Sequence, residues 1–272
     1  MNLRISRKSK SCAFIIVTYN SSKDIEKCIL SIKKYHPECG IYIIDNNSKD
    51  NTKNILKNFD GINLTLLEVN SGYAGGNNLA IKKAILDNYK FLFLFNPDST
   101  LTSKIIDSMI DISEKNNALV GPVIFHADSK NIQSVGGTFN PFFSHFKVSK
   151  KVSKSKDKLE VDWILGAALM IPSKVIKVCG FLDEQFFPAT LEESSYCMQA
   201  KNKGFKSIID LRSSVDHKGG TSSGGDRKYL LRLIKNRYYY ALRYQNLFFF
   251  CTTIVENSLR YIYHKVFGLL KN

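Results

Sequence analysis

The amino-acid sequence predicts an α/β protein with a mostly parallel central sheet flanked by helices. Short apolar segments rich in β-branched residues alternate with amphipathic segments through the first half of the 272-residue chain, and this alternation is typical of βαβ units. A polar, turn-forming stretch follows each of the first four apolar segments. A hydrophobic content of 44% is sufficient for a large core and excludes a disordered chain.

The individual elements follow from the spacing of apolar residues. Continuous apolar runs, as in strands buried on both faces, predict strands over residues 12–18, 41–44, 64–69, 91–95 and 118–125. Apolar residues at helical spacing predict helices over residues 21–34, 74–88, 103–115 and 192–203. Ser21 or Ser22 is the expected N-cap of the first helix. Residues 161–172 form a further strand-like segment, and the lysine- and serine-rich residues 144–158 are expected to be a loop.

The charge balance predicts an anionic partner, because 39 Lys and Arg stand against 24 Asp and Glu. In residues 226–272 basic and aromatic side chains alternate, which suits a helix on an anionic membrane surface or one that packs on the rest of the chain. Nucleic-acid binding is a third possibility, but no known nucleic-acid-binding motif accompanies the pattern, so no nucleic-acid partner is expected. The basic residues are Arg232, Lys235, Arg237, Arg243, Arg260 and Lys265, and the aromatic runs are 238–240 and 248–250.

Cysteine usage and hydropathy predict a cytoplasmic protein that does not cross a membrane. The six cysteines form no CxxC pair and no zinc-like spacing with histidine, as expected of reduced thiols. No apolar run approaches the length of about 18 residues that a spanning helix needs. The basic N-terminus lacks the apolar stretch of a signal peptide.

The polar residues that follow the predicted strands form the first functional signal. In a parallel sheet they lie together at one edge, where ligands of open α/β sheets bind. The candidates there are Thr18, Tyr19, Asn20, Asp45, Asn47, Gly72, Gly75, Gly76, Asn77, Asn96 and Asp98.

Three of these positions have a chemical interpretation and a purely structural alternative. Asp45 can accept an N–H from a nucleobase, or it can belong to a turn and helix cap. The glycine-rich residues 72–78 can bring backbone close to a ligand or form a tight turn, and their spacing matches neither the dinucleotide fingerprint nor the P-loop. Asp98 can hold a divalent cation on a diphosphate or serve only in a turn after Pro97.

Two later segments carry further candidates. Glu192 and Glu193 open a predicted helix, where acids are also favoured simply by the helix dipole. His217 lies in a segment expected to be a glycine-flanked loop, where it can contact a metal or phosphate or remain solvated.

The order and spacing of these segments together resemble the family 2 glycosyltransferases, and within them the rhamnosyltransferase-like branch. The resemblance runs from about residue 12 to 240 and implies a GT-A fold. It comprises a domain over 1–225, with a Rossmann-like nucleotide-sugar-binding half (12–125) and an acceptor-binding half (126–225), before the helical segment 226–272. The matching segments are IIVTYNS (15–21), DNNSKDNT (45–52), NSGYAGGNN (70–78), FNPDS (95–99), WILGAALMIP (163–172), VCGFLDEQFF (178–187), EESSYCMQAKNKGF (192–205) and HKGGTSS (217–223).

The resemblance also implies an activity: inverting transfer of a sugar from a UDP- or dTDP-linked donor to a hydroxyl of a lipid-linked or cell-surface polysaccharide. It assigns base recognition to Asp45 and a Mg²⁺ or Mn²⁺ ion to Asp98 and His217. The other candidates at the edge of the sheet, together with Gly166, would line the nucleotide-sugar pocket.

The same resemblance makes Glu193 the general base. The family usually has Asp there, so Glu192 is an alternative base. Ser195 stands where an acid is often found, which leaves open a GT-A protein without activity.

Overall fold

The computed structural model describes residues 8–151, 157–219 and 227–267. Their strands are β1 (Cys12–Thr18), β2 (Gly40–Asp45), β3 (Asn63–Leu66), β4 (Phe91–Phe95), β5 (Ser99–Leu101), β6 (Ala118–His126), β7 (Ile132–Ser134), β8 (Gly137–Asn140), β9 (His145–Val148), β10 (Lys158–Val161), β11 (Ala168–Pro172) and β12 (Lys206–His217). Their helices are α1 (Ile25–Tyr35), α2 (Thr52–Lys57), α3 (Gly72–Leu86), α4 (Ile106–Asn116), α5 (Ser173–Cys179), α6 (Glu192–Asn202), α7 (Arg227–Tyr244) and α8 (Leu247–Phe267).

One large sheet organises the molecule, in the order β10-β12-β6-β11-β4-β1-β2-β3. Strands β1 to β4 run parallel, as do β6 and β12. Between these groups β11 pairs antiparallel with both β4 and β6, so all six parallel strands point the same way. Their carboxyl ends therefore form one edge, as the sequence predicts.

The core lies on both faces of this sheet. Helices α1, α2 and α4 cover one face and bury Ile29, Leu56 and Met109 against strand residues such as Phe14. Helices α3, α5 and α6 cover the other face, where Ile15 belongs to a core cluster that includes buried residues of all three helices. This alternation along β1 is the period-2 pattern of a strand buried on both sides.

The locally encoded elements match the prediction closely. Strands β1 and β4 have the predicted limits, whereas α1 begins at Ile25 without a side-chain cap. The backbone carbonyl of Ser21 accepts from the N–H groups of Asp24 and Ile25, so the serines form a turn and do not cap the helix. The predicted cap is therefore wrong.

The predictions for the second half needed more correction. Residues 144–158 are not a simple loop, because β9 and β10 occupy their two ends and residues 152–156 lie outside the described part. Residues 161–172 are not one strand, since β10 ends at Val161 and β11 begins at Ala168. The sequence also missed β5, β7, β8, β12, α2 and α5, most of which are short or pair with distant segments.

The C-terminal helices pack on the β8–β9 hairpin and the turn between its strands. The ring of Tyr240 contacts those of Phe139 and Phe146, and Phe249 contacts Phe142. Among the described residues no helix is both long and apolar enough to span a bilayer.

This packing corrects the prediction that Arg237 and residues 238–240 contact a membrane. Arg237 is 3% exposed and pairs with Glu256 at 2.6 Å, so its charge serves the fold. The side chains of Arg260 and Lys265 lie outside the described part of the structure.

A cluster of potential metal ligands lies near the start of β2 and plays a structural role. Nε2 of His36 accepts the Ile105 N–H at 3.0 Å at the start of α4, and its Nδ1 faces Glu38 at 3.3 Å. Cys39 donates its thiol to the carbonyl of Ser9 at 3.2 Å. Burial lowers the pKa of His36, which favours the neutral acceptor form that this arrangement requires.

Candidate active site

The carboxyl ends of β1 and β2 place Thr18 beside Asp45 in the strand register. Both residues are fully buried. Asp45 accepts the Ser48 N–H through Oδ1 at 2.9 Å, while its Oδ2 and the Thr18 hydroxyl have no hydrogen-bond partner. Unsatisfied buried oxygens are rare and costly, so this pair is available to a polar ligand.

The surrounding turns are shaped by asparagines in the left-handed backbone region. Asn20 has φ of 54° and Asn47 has φ of 66°, a conformation that asparagine tolerates better than most residues. The side chain of Asn20 accepts the backbone N–H of Lys49 at 2.7 Å, and the Asn47 side chain accepts from Lys49 Nζ at 2.8 Å. Tyr19 is half exposed beside them. Lys49 is not among the residues predicted from the sequence, and it brings a cation to this rim.

The glycine-rich segment forms the first turns of α3, which begins at Gly72, two residues before the predicted start at Ala74. Gly72 has φ of +75°, and a Cβ on Gly76 would lie 2.7 Å from Val17 Cγ1. Gly75 lies close to Ser71, and Asn77 donates to the Tyr73 carbonyl at 2.9 Å. These residues therefore let the helix approach β1 closely.

A cavity of about 360 Å³ brings the remaining candidates together. Its volume is within the usual range for small-molecule sites. Six of the predicted site residues line the cavity: Asn96, Asp98, Gly166, Glu192, Glu193 and His217. Residues outside the predicted site also line it, among them Tyr73, Gln133, Phe146, Trp163, Leu233 and Arg237.

Asp98 and His217 meet because β5 pairs antiparallel with the end of β12, opposite Ser99. His217 is therefore the last residue of a strand and not part of a loop as predicted, and at 8% exposed it is not solvated. Its Nε2 lies 3.2 Å from Oδ1 of Asp98 and 3.3 Å from Nδ2 of Asn96.

The partner of the other ring nitrogen indicates the tautomer of His217. Nδ1 lies 2.8 Å from Oε1 of Gln133, an oxygen that only accepts, so Nδ1 carries a proton. In the neutral ring the lone pair of Nε2 then faces the Asp98 carboxylate, and that approach is favourable only with a proton or cation between them. Carboxylate oxygen and imidazole nitrogen are both ligands of Mn²⁺-type ions, so the residues present fit a divalent metal.

The electrostatics of Asp98 agree with this role. Burial alone would raise the pKa of the carboxyl, but the hydrogen bond and charge of His217, together with hydrogen bonds from the backbone, hold the pKa below its ordinary value. Asp98 is therefore ionised at neutral pH, as a metal ligand must be.

Glu192 and Glu193 open α6 and turn toward the same cavity. Oε1 of Glu193 accepts the Gly166 N–H at 3.3 Å, and Tyr73 donates its hydroxyl to the Gly166 carbonyl at 2.9 Å. A Cβ at Gly166 would lie 2.6 Å from the Tyr73 hydroxyl and 3.1 Å from Glu193, so only glycine fits. Glu192 is 2% exposed and its Oε1 has no partner.

The two acids have perturbed pKa values, a frequent property of catalytic groups. Burial raises the pKa of Glu193. Burial, together with the charge of Glu193, raises the pKa of Glu192 well above its usual range. A carboxyl with a raised pKa is a stronger base once ionised, which suits removal of a proton from a hydroxyl.

The residues that the sequence reading missed differ in how detectable they were. Tyr73 stands inside the glycine-rich motif and had a local signal. Gln133 had none, because only the folding of β7 against β6 brings it to His217. Leu233 and Arg237 lie in a segment whose composition suggested a membrane contact, so they were assigned elsewhere.

The fold and this arrangement of acids define a GT-A protein. In solved structures, GalNAc-T7 with UDP, GalNAc and Mn²⁺ matches with a TM-score of 0.69 at 15% identity, over 87% of this chain and 48% of that one. TarS of S. aureus in complex with UDP-GlcNAc matches with a TM-score of 0.61 at 15% identity, over 85% of this chain and 66% of that one. At such identities the likeness establishes the fold.

The sequence comparison identifies the family: the model of glycosyl transferase family 2 matches residues 13–166, and the chain belongs to that family. The dTDP-rhamnosyl transferase RfbF of Shigella flexneri is 21% identical over 192 residues, which are 70% of this chain and 63% of that protein. The low-salt glycan biosynthesis hexosyltransferase Agl10 of Haloferax volcanii is 24% identical over 194 residues, 70% of this chain and 62% of that protein. The chain thus spans less than two thirds of either relative.

Proposed function

We propose that this protein is an inverting glycosyltransferase that moves a sugar from a nucleoside-diphosphate sugar to a hydroxyl of a lipid-linked or cell-surface polysaccharide. The observation that carries this proposal is the shared cavity, which has the Asp98–His217 pair and the Glu192–Glu193 pair in its walls. Inverting transfer needs one group for the leaving diphosphate and one base for the acceptor. These two pairs supply both.

In this mechanism Asp98 and His217 would hold Mg²⁺ or Mn²⁺ for the donor diphosphate. A cation bound there would supply stabilisation of the charge on the leaving group. Glu193 takes the proton of the acceptor hydroxyl. At the same time the hydroxyl oxygen forms the new bond to the anomeric carbon, and the bond between that carbon and the diphosphate breaks. Gly166 orients the Glu193 carboxylate through its N–H, and no covalent intermediate with the protein is needed.

The donor we propose carries a pyrimidine nucleotide, UDP or dTDP. Uracil and thymine both present an N3–H, and the unpartnered Oδ2 of Asp45 is a buried acceptor suited to it. Thr18 offers a second polar atom beside it, and the turns of Tyr19, Asn20 and Asn47 form the rim. The names and complexes of the relatives, which include dTDP-rhamnosyl transfer and UDP binding, support this donor class.

The acceptor we propose is a glycan. The cavity walls contain the rings of Phe146 and Trp163 and the side chains of Leu165 and Leu233. Aromatic and aliphatic walls with a few convergent polar groups are typical of sites that bind ring-shaped organic ligands.

A donor panel tests the proposal. Purified protein is incubated with UDP-, dTDP- and GDP-linked sugars, an acceptor extract and Mn²⁺ or Mg²⁺, and release of the nucleoside diphosphate is measured. We expect acceptor-dependent release with a uridine or thymidine donor and much less with GDP-linked sugars. Binding of nucleotide sugar without release under any combination would indicate the alternative, a GT-A protein that binds donors but does not transfer.

We also propose that α8 rests on the cytoplasmic face of an anionic membrane. Its inner face packs on the domain through Phe249 and Thr253 and on α7 through Glu256, which pairs with Arg237. The opposite face is exposed, at 75% for Leu247, 61% for Phe248, 60% for Val255 and 62% for Leu259. An apolar stripe beside basic residues is the pattern of a helix that lies in the bilayer interface.

Exposed basic residues lie on elements that neighbour α8. Lys235 and Arg243 on α7 and Lys147 on the adjoining β8–β9 hairpin are exposed. Each such charge near an anionic leaflet contributes about 1 kcal/mol, and salt screens it. Electrostatic attraction therefore adds to burial of the apolar stripe.

We expect a double change, Phe248→Glu with Val255→Glu, to abolish co-sedimentation with anionic liposomes. Leu86→Glu is the control, because Leu86 is 78% exposed on α3, away from the stripe. The wild type should bind more weakly to neutral liposomes and at high salt. Equal liposome binding by the double variant and the wild type would contradict the proposed interface.

A further inference from the structure

The backbone just before the paired acids is held in an unfavourable conformation. Thr190 has φ of 107° and Leu191 has φ of 71°, and a β-branched or bulky residue rarely adopts positive φ. Such conformations persist only where the surroundings impose them, and they concentrate at functional sites. Here they set the direction in which α6, and with it Glu192 and Glu193, enters the cavity.

One side chain of the C-terminal segment imposes this conformation. Nδ2 of Asn236, on α7, lies 3.1 Å from the Thr190 carbonyl and 2.8 Å from the Thr190 hydroxyl. It also lies 3.2 Å from the carbonyl of Phe186, so one amide joins both ends of residues 186–190. Asn236 is 1% exposed, and in a buried setting such hydrogen bonds are hard to replace by water.

The start of α3 holds the same residues from the other side. The backbone N–H of Tyr73 donates to the carbonyl of Pro188 at 2.9 Å. Tyr73 also supports Gly166, which donates to Glu193. Residues 187–191 are therefore held by hydrogen bonds from α3 on one side and from α7 of the C-terminal segment on the other.

Helix α7 has attachments that do not depend on Asn236. Tyr239 and Tyr244 both donate to Oδ2 of Asp183, at 2.7 and 2.5 Å. Nε of Arg237 donates to the Ser144 carbonyl at 3.2 Å, and Tyr240 packs in an aromatic cluster. Loss of the Asn236 amide therefore leaves α7 docked and changes mainly its grip on Thr190.

We propose that Asn236 is a positioning residue for the general base: through Thr190 and Phe186 it sets the entry of α6 and so the place of Glu193 in the cavity. The role rests on the proposed glycosyl transfer, although its effect on residues 187–195 does not. It makes α7 a part of the catalytic apparatus rather than a separable membrane-binding segment.

The variants that test this are Asn236→Leu, which keeps the approximate size but cannot donate, and Asn236→Gln, which retains an amide. Thr190→Val removes the closest of the three acceptors and gives a second route to the same loss. Tyr244→Phe is the matched control, because it removes a different hydrogen bond of α7 that does not reach residues 186–190.

The first readout is hydrogen exchange, which needs no activity. In Asn236→Leu and Thr190→Val, amide exchange in residues 187–195, including the Ser195 N–H that donates to the Leu191 carbonyl, should accelerate by an order of magnitude or more. Tyr244→Phe should leave these amides as in the wild type. Unchanged exchange here in both Asn236→Leu and Thr190→Val would overturn the proposal, even if the protein transferred no sugar.

The second readout is kinetic. Asn236→Leu should lower kcat on the order of 10²-fold, as a misplaced catalytic group does, with the donor KM nearly unchanged and partial rescue in Asn236→Gln. The acidic limb of the kcat–pH profile should also move to lower pH. In the wild type the Glu193 carboxyl faces Tyr73, Glu192 and Cys197. Entry of water in the variant lowers the raised pKa of this carboxyl. If kcat falls only in proportion to Tm, and falls equally in Tyr244→Phe, the role of Asn236 is purely structural. An inactive wild type with faster exchange in the variants would refute the proposed function and leave the positioning in place.

Discussion

Glu193→Gln is expected to reduce sugar transfer by about 10²–10⁴-fold, the usual cost of removing a positioned general base. Glutamine keeps the size of the side chain and a carbonyl oxygen for the Gly166 N–H, but it cannot take a proton. Binding of the donor should persist, because the proposed donor contacts at Asp45 and Asp98 are untouched. Diphosphate release and isothermal titration with the nucleotide sugar measure the two effects separately.

Glu192→Gln is the matched control for this experiment. Adjacent helical side chains point about 100° apart, so the loss of transfer should be milder than for Glu193→Gln. A dead Glu192→Gln enzyme beside a nearly normal Glu193→Gln enzyme would assign the base to Glu192 instead.

The same control has a stability readout whose sign follows from the pKa. Burial, with the charge of Glu193, raises the pKa of Glu192 in the folded state above its unfolded value. The folded state then binds more protons than the unfolded state, so the free energy of unfolding falls as pH rises above the ordinary carboxyl pKa. Glu192→Gln removes that penalty, and its Tm should exceed that of the wild type by a margin that grows with pH.

Asp98→Asn is expected to be the second severe lesion, because it removes the charged ligand proposed for the cation. A bound ion supplies several kcal/mol to the transition state, which corresponds to a rate loss on the order of 10²-fold or more. Asp128→Asn, at an exposed carboxylate, is the matched control.

A binding readout accompanies the rate. For the wild type, Mn²⁺ should tighten UDP binding and raise Tm in the presence of UDP, and excess EDTA should reverse both effects. For Asp98→Asn, UDP affinity should not respond to the ion. Full turnover by the wild type in excess EDTA, or a metal response retained by the variant, would contradict the assignment.

His217→Ala should share the metal phenotype in weaker form, since the Asp98 carboxylate remains. The variant also removes the group that holds the pKa of Asp98 low. This lowered pKa contributes stability above the unfolded carboxyl pKa, and that stability is lost as pH falls through the folded pKa. The variant should therefore lose stability at neutral pH and show a weaker acid dependence than the wild type.

Local sequence was sufficient for the buried parallel strands in the first half of the chain. The apolar runs of β1 and β4 are buried on both faces, so their composition alone indicates parallel strands, and both were predicted with their observed limits. Because parallel strands share a carboxyl edge, the sequence also determined that Thr18, Asp45 and Asp98 would gather there. The family followed from the same motifs, and the comparison with family 2 confirms it.

The meeting of Asp98 with His217 was decided by tertiary structure. Asn96 and His217 lie 121 positions apart, and they meet because β12 pairs with both β5 and β6. The register of such a pairing depends on the partner strands and not on the local pattern of β12. For the same reason His217 was expected in a loop, and Gln133 was not expected at all.

The C-terminal segment shows the difference most clearly. Its composition, basic residues among aromatic ones, is equally compatible with a membrane surface and with a buried contact, because both remove rings from water and both place charges beside them. Only the folded chain distinguishes the faces: Arg237, Asn236 and Tyr240 are buried against the domain, whereas Leu247 and Phe248 remain exposed. The sequence by itself determined the family, the parallel sheet and the acids at its edge. The tertiary structure decided which residues complete the cavity, because side chains distant in sequence become neighbours only when the sheet and the last two helices pack.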